Sequence, residues 1–240
     1  LPDCGLYLVP GVSGGSALSR RTWLELIERA RNGATGYLSL DDGVLSPLDD
    51  LFGIRSLHRE MPGDEVVVTV GGQSFPLHRP VRYAIESQGA AVAGTLACGE
   101  GVFFDHRYGK GRLLLLTLPL ERHAVEQGTA VNRPDEWPGR AVYEYFGAEV
   151  AACHAARSND PLVTVSCHPV SDGGMLVIAV NNRPEATAFE PLLAPGWKTG
   201  EFFYGTPGCL TANDAAIFRI GKRLSAAGER PGRPENDSIR

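Results

Sequence analysis

The first forty residues alternate between short apolar runs and one amphipathic segment. Leu6–Val9 and Tyr37–Leu40 are apolar runs typical of buried parallel strands. Between them, Ser19 can cap a helix, and Gly33 lies where a left-handed C-terminal cap is favoured. The apolar face of that helix is formed by Trp23, Ile27 and Ala30, widened by Leu24 and Leu26. The pattern predicts a strand, a helix and a strand joined by a right-handed crossover.

The middle of the chain departs from this alternation and predicts antiparallel hairpins. Val66–Val70 and Gln73–Leu77 flank Gly71-Gly72, which favours a two-residue hairpin turn. We interpret residues near 64–78 as a hairpin inserted on an edge of the sheet. Gly101–Asp105 and Arg112–Leu118 form a second predicted hairpin, turning at 108–111.

Two further signals follow the second hairpin. Pro119 is interpreted as the stop of its last strand, and Ala141–Phe146 predicts one or two turns of helix that pack back on the sheet. Short apolar segments separated by turn residues then recur at about ten-residue spacing, which predicts a small β-sandwich. These predicted strands are Leu162–Cys167, Met175–Asn181, Thr187–Leu192, Thr199–Tyr204 and Ala216–Ile220.

The predicted fold is therefore an α/β flavodoxin- or amidotransferase-like domain followed by a small all-β sandwich. We expect the α/β domain over residues 1–157 and the sandwich over 158–221. Residues 222–240 are polar and rich in Pro and Gly, which predicts a disordered tail. Because the chain begins with Leu1 almost directly in a strand, we interpret it as a piece of a longer protein whose α/β domain is incomplete at its N-terminus.

Composition narrows the classes of partner. With 43% hydrophobic and 21% charged residues, the chain resembles an ordinary globular protein. The net charge of −5 argues against nucleic acid and anionic membrane, because both require a basic surface. No apolar run is long enough to span a bilayer. The five scattered cysteines favour a reducing compartment, so we expect a cytoplasmic location.

Three residues are candidates for binding. Asp41 and Asp42 follow the second predicted strand, and ligands of open α/β sheets bind beyond the carboxyl ends of strands. The alternative is a solvated turn that caps a short helix near Pro47–Phe52. Trp137 lies in a predicted loop, where an exposed ring could stack on a sugar. Its alternative role is to cover the hydrophobic edge of the domain.

No motif in the sequence carries catalysis by itself. Cys98 and His106 could pair, but no nucleophile-elbow pattern surrounds Cys98. Gly109-Lys110-Gly111 lacks the Walker pattern and is read as a turn whose glycines supply positive φ. The six histidines are never three or four residues apart, so we expect no metal site, and no cofactor is predicted.

The segment from Tyr7 to Gly53 resembles the amidotransferase-like "trimerisation" domain of glycoside hydrolase family 42 β-galactosidases and related family 5-like glycosidases. The matching positions include Ser19 and Trp23 in the helix and the stop at Leu51-Phe52-Gly53. A closing signature also matches, with Tyr-Gly-Lys-Gly at 108–111 and Pro-Leu-Glu at 119–121. Residues after about Pro161 resemble the small C-terminal β-domain of the same enzymes.

This resemblance implies a non-catalytic accessory and oligomerisation region whose catalytic barrel lies upstream. It implies a homo-oligomer formed through the α/β domain, and a carbohydrate as substrate of the parent enzyme. Arg107 and Glu121, near the tip and the base of the second hairpin, are the interface residues to test first. An amidotransferase would need a Cys where Asp41-Asp42-Gly43 stands. A carbohydrate-binding module and, less favoured, a free-standing amidotransferase-like protein remain the alternatives.

Overall fold

The computed structural model describes residues 1–12, 18–41, 49–128, 130, 133 and 136–222. The chain divides into two compact units, Leu1–Ala152 and Cys153–Arg240, each with its own hydrophobic core. No helix in the described part of the chain is long and apolar enough to cross a membrane. The predicted tail lies outside the described residues, apart from Lys222.

The first unit contains four helices and nine strands within its described residues. The helices are α1 (Arg20–Arg31), α2 (Asp49–Phe52), α3 (Leu120–Glu126) and α4 (Arg140–Ala151). The strands are β1 (Leu6–Val12), β2 (Thr35–Leu40), β3 (Ile54–Glu60), β4 (Asp64–Val70), β5 (Gln73–Arg79), β6 (Arg82–Ser87), β7 (Ala91–Leu96), β8 (Gly101–Tyr108) and β9 (Gly111–Leu116). Seven of them form one sheet in the order β1-β2-β9-β8-β7-β4-β5, and β3 pairs with β6 separately.

The predicted strand-helix-strand unit is confirmed. Ser19 caps α1, its Oγ accepting a hydrogen bond from the backbone N–H of Thr22 at 3.1 Å. The helix buries Leu26 and Ala30, and Gly33 follows its end with φ at 127°. β1 runs parallel to β2, and β2 runs parallel to β9. Every residue of β2 and of β9 is buried, as expected of strands covered on both faces.

The α/β class predicted for this domain needs correction, because the described structure is mostly β. Only β1, β2 and β9 are parallel, and every other pairing of the large sheet is antiparallel. After β2, the chain returns by hairpins instead of by further helical crossovers. The result is a mixed sheet with few helices, and it does not clearly show an amidotransferase-like domain.

The hairpin predicted near 64–78 is present as β4 and β5. Gly71 and Gly72 have φ of 58° and 79°, the left-handed values that a type I′ turn requires. β5 forms an edge of the seven-stranded sheet, as expected. The second predicted hairpin is β8 and β9, which pair in register from Phe103 with Leu116 to Tyr108 with Gly111.

Two elements of the first unit were missed. β3 is mostly exposed and reads IRSLHRE, so it lacks the apolar alternation that identifies a strand. The helix α3 begins directly after Pro119, which was interpreted as a stop. Proline has no N–H to donate, and the first turn of a helix needs none from it, so Pro119 can precede a helix as readily as end a strand.

The core of the first unit lies on both faces of its central strands. Leu114 and Leu116 of β9 pack with Phe146 of α4 on one face. Leu113 and Leu115 pack on the other face, with Ala30 of α1. Tyr37 of β2 stacks on Phe146, with ring centroids 4.9 Å apart. The apolar run of β9 is thus the centre of the unit because it serves two layers at once.

The second unit is all β in its described residues, as predicted. The strands are β10 (Ala156–Arg157), β11 (Val163–Pro169), β12 (Met175–Asn181), β13 (Thr187–Phe189), β14 (Leu192–Leu193), β15 (Trp197–Tyr204), β16 (Gly208–Leu210) and β17 (Ala215–Lys222). The four-stranded antiparallel sheet has the order β11-β12-β17-β15, and two small two-stranded sheets, β10-β14 and β13-β16, accompany it. Phe218, Ile220 and Val177 are fully buried in the core of this unit.

Candidate functional site

A polar cluster lies at the carboxyl end of β2, where ligands of parallel sheets usually bind. Its members are the carboxylate of Glu121 and the hydroxyl groups of Tyr37, Ser39 and Tyr143, which we call the Glu121 cluster. β2 supplies Tyr37 and Ser39, the first turn of α3 supplies Glu121, and α4 supplies Tyr143. The cluster therefore joins one strand to two helices.

Glu121 accepts hydrogen bonds from all three hydroxyl groups. The Tyr37 and Tyr143 hydroxyls donate to Oε1 at 3.0 and 2.7 Å, and the Ser39 hydroxyl donates to Oε2 at 2.5 Å. Ser39 in turn accepts the backbone N–H of Gly11 at 2.8 Å. Glu121 thus links α3 to β2 and to α4, and Ser39 extends these hydrogen bonds to the end of β1.

Burial and charge keep these tyrosines protonated. Burial raises the pKa of Tyr37 well above its ordinary value, and the neighbouring Glu121 charge raises it further. The same two causes, burial first, raise the pKa of Tyr143. Both phenols therefore remain hydrogen-bond donors across the physiological pH range, as the carboxylate requires.

Asp41, one of the predicted binding residues, lies just after β2 at the rim of the Glu121 cluster. Its carboxylate oxygen lies 3.3 Å from Arg122 Nη1, and its side chain is 19% exposed. Arg122 also reaches Glu126 at 3.4 Å, and its pKa is raised mainly by the hydrogen bond to Asp41. Asp41 thus has a cationic partner within the chain. Asp42 lies outside the described residues.

The geometry of the Glu121 cluster leaves no free nucleophile. Ser39 is fully buried, and its hydroxyl already donates to Glu121 and accepts from Gly11. A serine nucleophile needs a base that takes its proton and space for the attacked atom. The three hydroxyl groups of the cluster are thus all engaged by Glu121 within the chain.

The candidate pair Cys98 and His106 gains no support from the structure. Cys98 is exposed between β7 and β8. The ring of His106 lies against Gly53, whose position would not admit a side-chain carbon, and its buried Nδ1 has no hydrogen-bond partner among the described residues. Within the described part of the chain, no group of three or more His, Cys, Asp or Glu side chains is placed to hold a metal ion.

Trp137 is not the exposed platform that its loop position suggested. Its side chain is 6% exposed and belongs to the core under α4, with its ring tilted against Tyr143 at 6.3 Å. The absence of a side chain at Gly139 makes room for the ring. The alternative, a residue that covers the hydrophobic edge, fits this position.

Arg107 and Glu121, the predicted interface residues, lie in different environments. Arg107 is exposed on β8, opposite Arg112 and near the hairpin tip. Glu121 is half-buried, with its oxygens bound to the chain's own hydroxyl groups. Sequence reasoning missed Tyr37, Ser39 and Tyr143 as its partners. The one available signal was Ser39, a polar residue within an otherwise apolar strand.

Comparisons with known proteins place the fold. No protein-family model and no curated protein matches the chain. Gan42B, a GH42 β-galactosidase from G. stearothermophilus, is similar in structure, with a TM-score of 0.57 at 18% identity over 91% of this chain and 31% of that one. The β-galactosidase of Bacillus circulans sp. alkalophilus gives 0.58 at 12% identity, covering 92% and 32%. That of Rahnella sp. R3 gives 0.59 at 16%, covering 91% and 32%.

These likenesses concern the fold, since the identities are low. The chain spans about a third of the length of each of these β-galactosidases. Almost the whole chain is included in the match, across both of its units. The chain therefore has a fold similar to one part of a GH42 β-galactosidase.

Proposed function

We propose that this chain is a non-catalytic accessory and oligomerisation region of a glycoside hydrolase of the β-galactosidase type. The observation that carries the proposal is the fold match, which takes in 91% of this chain but only 31% of Gan42B. On this proposal the sugar chemistry belongs to a catalytic barrel outside these residues. Carbohydrate is then the substrate of the whole enzyme.

The interior of the Glu121 cluster supports a structural role. A catalytic carboxylate must face its substrate, and glycoside hydrolysis needs two of them on either side of the bond. Glu121 instead holds β2, α3 and α4 together through hydroxyl groups of the same chain. Such a network stiffens the carboxyl end of the sheet, which suits a domain that supports its neighbours.

We also propose that the first unit forms the contact between copies. Arg107 is the better interface candidate, because it is exposed while the oxygens of Glu121 are engaged within the chain. The proposal includes a cytoplasmic location. Among the described cysteines, Cys4, Cys98 and Cys209 are exposed and form no disulfide, which favours a reducing compartment.

Sedimentation equilibrium of the purified chain tests the oligomeric role. We expect a concentration-dependent oligomer that Arg107→Glu shifts toward monomer, because a reversed charge opposes a complementary surface. Arg21→Glu, an exposed change on α1, is the matched control and should leave the oligomer intact. A monomer at every concentration would contradict the oligomerisation role. Hydrolysis of an aryl β-galactoside by the chain alone would contradict the non-catalytic role.

A further inference from the structure

A cleft of about 660 Å³ lies within the second unit and shares no residue with the Glu121 cluster. Its walls come from the end of β13, the middle of β15 and the start of β16. The lining is mostly apolar and includes Phe189, Phe202 and Pro207, with Glu190 and Thr199 as its polar members. Its volume falls within the roughly 300–1,000 Å³ typical of small-molecule sites.

An irregularity in β15 directs two of these residues to the same side. Thr199 pairs with Ile220 and Phe202 pairs with Phe218, so three steps along β15 match two along β17. In a regular strand, residues three apart face opposite sides of the sheet. The extra residue brings Thr199 and Phe202 onto the side of Ile220 and Phe218. Bulges of this kind re-aim side chains and are common beside functional sites.

The ring of Phe202 forms a fixed platform at the cleft. It stacks on Phe218 with centroids 4.8 Å apart and planes at 19°, and Phe218 is fully buried. Phe218 therefore covers one face of the Phe202 ring. Phe202 is half-buried and lines the cleft, so its ring is partly open to a ligand there. A flat aromatic face complements the apolar C–H face of a pyranose ring.

The polar residues of the lining indicate a neutral ligand that carries hydroxyl groups. Glu190 is exposed and offers carboxylate acceptors, while Thr199 is exposed and offers a hydroxyl group. No Lys, Arg or His is among the lining residues described, so a phosphate or an acidic sugar would lack a counter-charge there. An apolar floor with a few polar groups at its edge fits a ring that is apolar on one face and hydroxylated at its rim.

We propose that this cleft binds a neutral pyranose of a short oligosaccharide. The ring would stack on Phe202, with its hydroxyl groups donating to Glu190 and sharing hydrogen bonds with Thr199. The choice of galactose-containing sugars as probes rests on the proposed function, with mannobiose as a comparison sugar, whereas the site itself rests on the geometry of the cleft. The site would hold a glycan without cleaving it.

Isothermal titration of the 240-residue chain with lactose, galactobiose and mannobiose tests the proposal. We expect saturable binding of at least one sugar. Phe202→Leu keeps an apolar side chain but removes the flat face, so affinity should fall roughly tenfold, whereas Phe202→Trp should retain it. Phe203→Leu is the matched control, because Phe203 is the neighbouring exposed ring and is not in the cleft lining.

A second pair of variants does not depend on the packing of Phe202. Glu190→Gln should weaken binding several-fold by removing a charged acceptor, while Glu201→Gln, exposed on β15 outside the lining, should not. If Phe202→Leu fails to fold, the comparison of Glu190→Gln with Glu201→Gln still tests whether the cleft binds sugar.

Two results would overturn the sugar site. One is the absence of saturable heat with every sugar to about 10 mM. The other is a folded Phe202→Leu, or a Glu190→Gln, that binds as tightly as the parent chain. Sedimentation of the same samples separates this proposal from the oligomeric role. An intact oligomer that binds no sugar overturns the cleft alone, and a monomer that binds sugar overturns the oligomeric role alone.

Discussion

At the residue scale, the most informative side chain of the first unit is Glu121. The sequence marks it as the last residue of a Pro-Leu-Glu signature and as a possible interface residue. In the structure, Glu121 binds groups of its own chain, because three hydroxyl groups donate hydrogen bonds to its two carboxylate oxygens. Nothing in the local sequence joins residues 37, 39, 121 and 143, which are up to 106 positions apart. Only the packing of α3 and α4 against β2 brings them together.

Glu121→Gln should destabilise the first unit by about 2–3 kcal/mol, because charge-assisted hydrogen bonds to partly buried hydroxyls are lost and an N–H₂ group faces donors. Urea unfolding followed by circular dichroism measures the change. Glu126→Gln, on the exposed end of the same helix, should change stability by less than about 0.5 kcal/mol. Equal stability of Glu121→Gln and the parent chain would show that the network contributes nothing.

At the element scale, the β8–β9 hairpin depends on glycine for two different reasons. Gly109 has φ of 62°, as the predicted turn requires. Gly111 does not have a positive φ, so the sequence interpretation was wrong about this residue. A side-chain carbon at Gly111 would overlap the carbonyl oxygens of Ala30, in the last turn of α1, and of Ala34, directly before β2. Glycine is therefore required at position 111 because the backbone of a distant segment approaches it closely.

Gly111→Ala should destabilise the first unit by about 2–3 kcal/mol, since backbone atoms must move to admit the methyl group. Thermal unfolding monitored by circular dichroism measures the effect. Gly147→Ala is the matched control, because nothing lies within 4 Å of the added carbon in α4. That change should stabilise the chain by up to about 1 kcal/mol through helix propensity. A neutral Gly111→Ala would contradict the close approach.

At the scale of the whole molecule, the chain consists of two units with separate cores. The core of the first unit is built on β9, whereas Phe218 and Ile220 centre that of the second. The division falls between Ala152 and Cys153. A unit with its own core can unfold as its own cooperative step.

Calorimetry at fixed protein concentration should show two unfolding transitions. Leu115→Ala should lower the free energy of unfolding of one transition only, and Ile220→Ala that of the other only, each by about 2–5 kcal/mol. The reason is that each substitution truncates a fully buried side chain in a different core. A single transition that responds to both substitutions would mean that the two units unfold together.

Hydrophobic periodicity determined the elements whose stability is local. The capped helix α1, the Gly71-Gly72 hairpin, the two-faced strand β9 and the four longer strands of the second unit follow from side-chain spacing and turn chemistry within a few residues. Tertiary structure decided what depends on distant partners. It set the antiparallel order of the large sheet, the burial of Trp137, the reason for Gly111 and the partners of Glu121. Periodicity indicates which face of a helix or strand avoids water. Which distant segment covers that face is decided only when the layers pack.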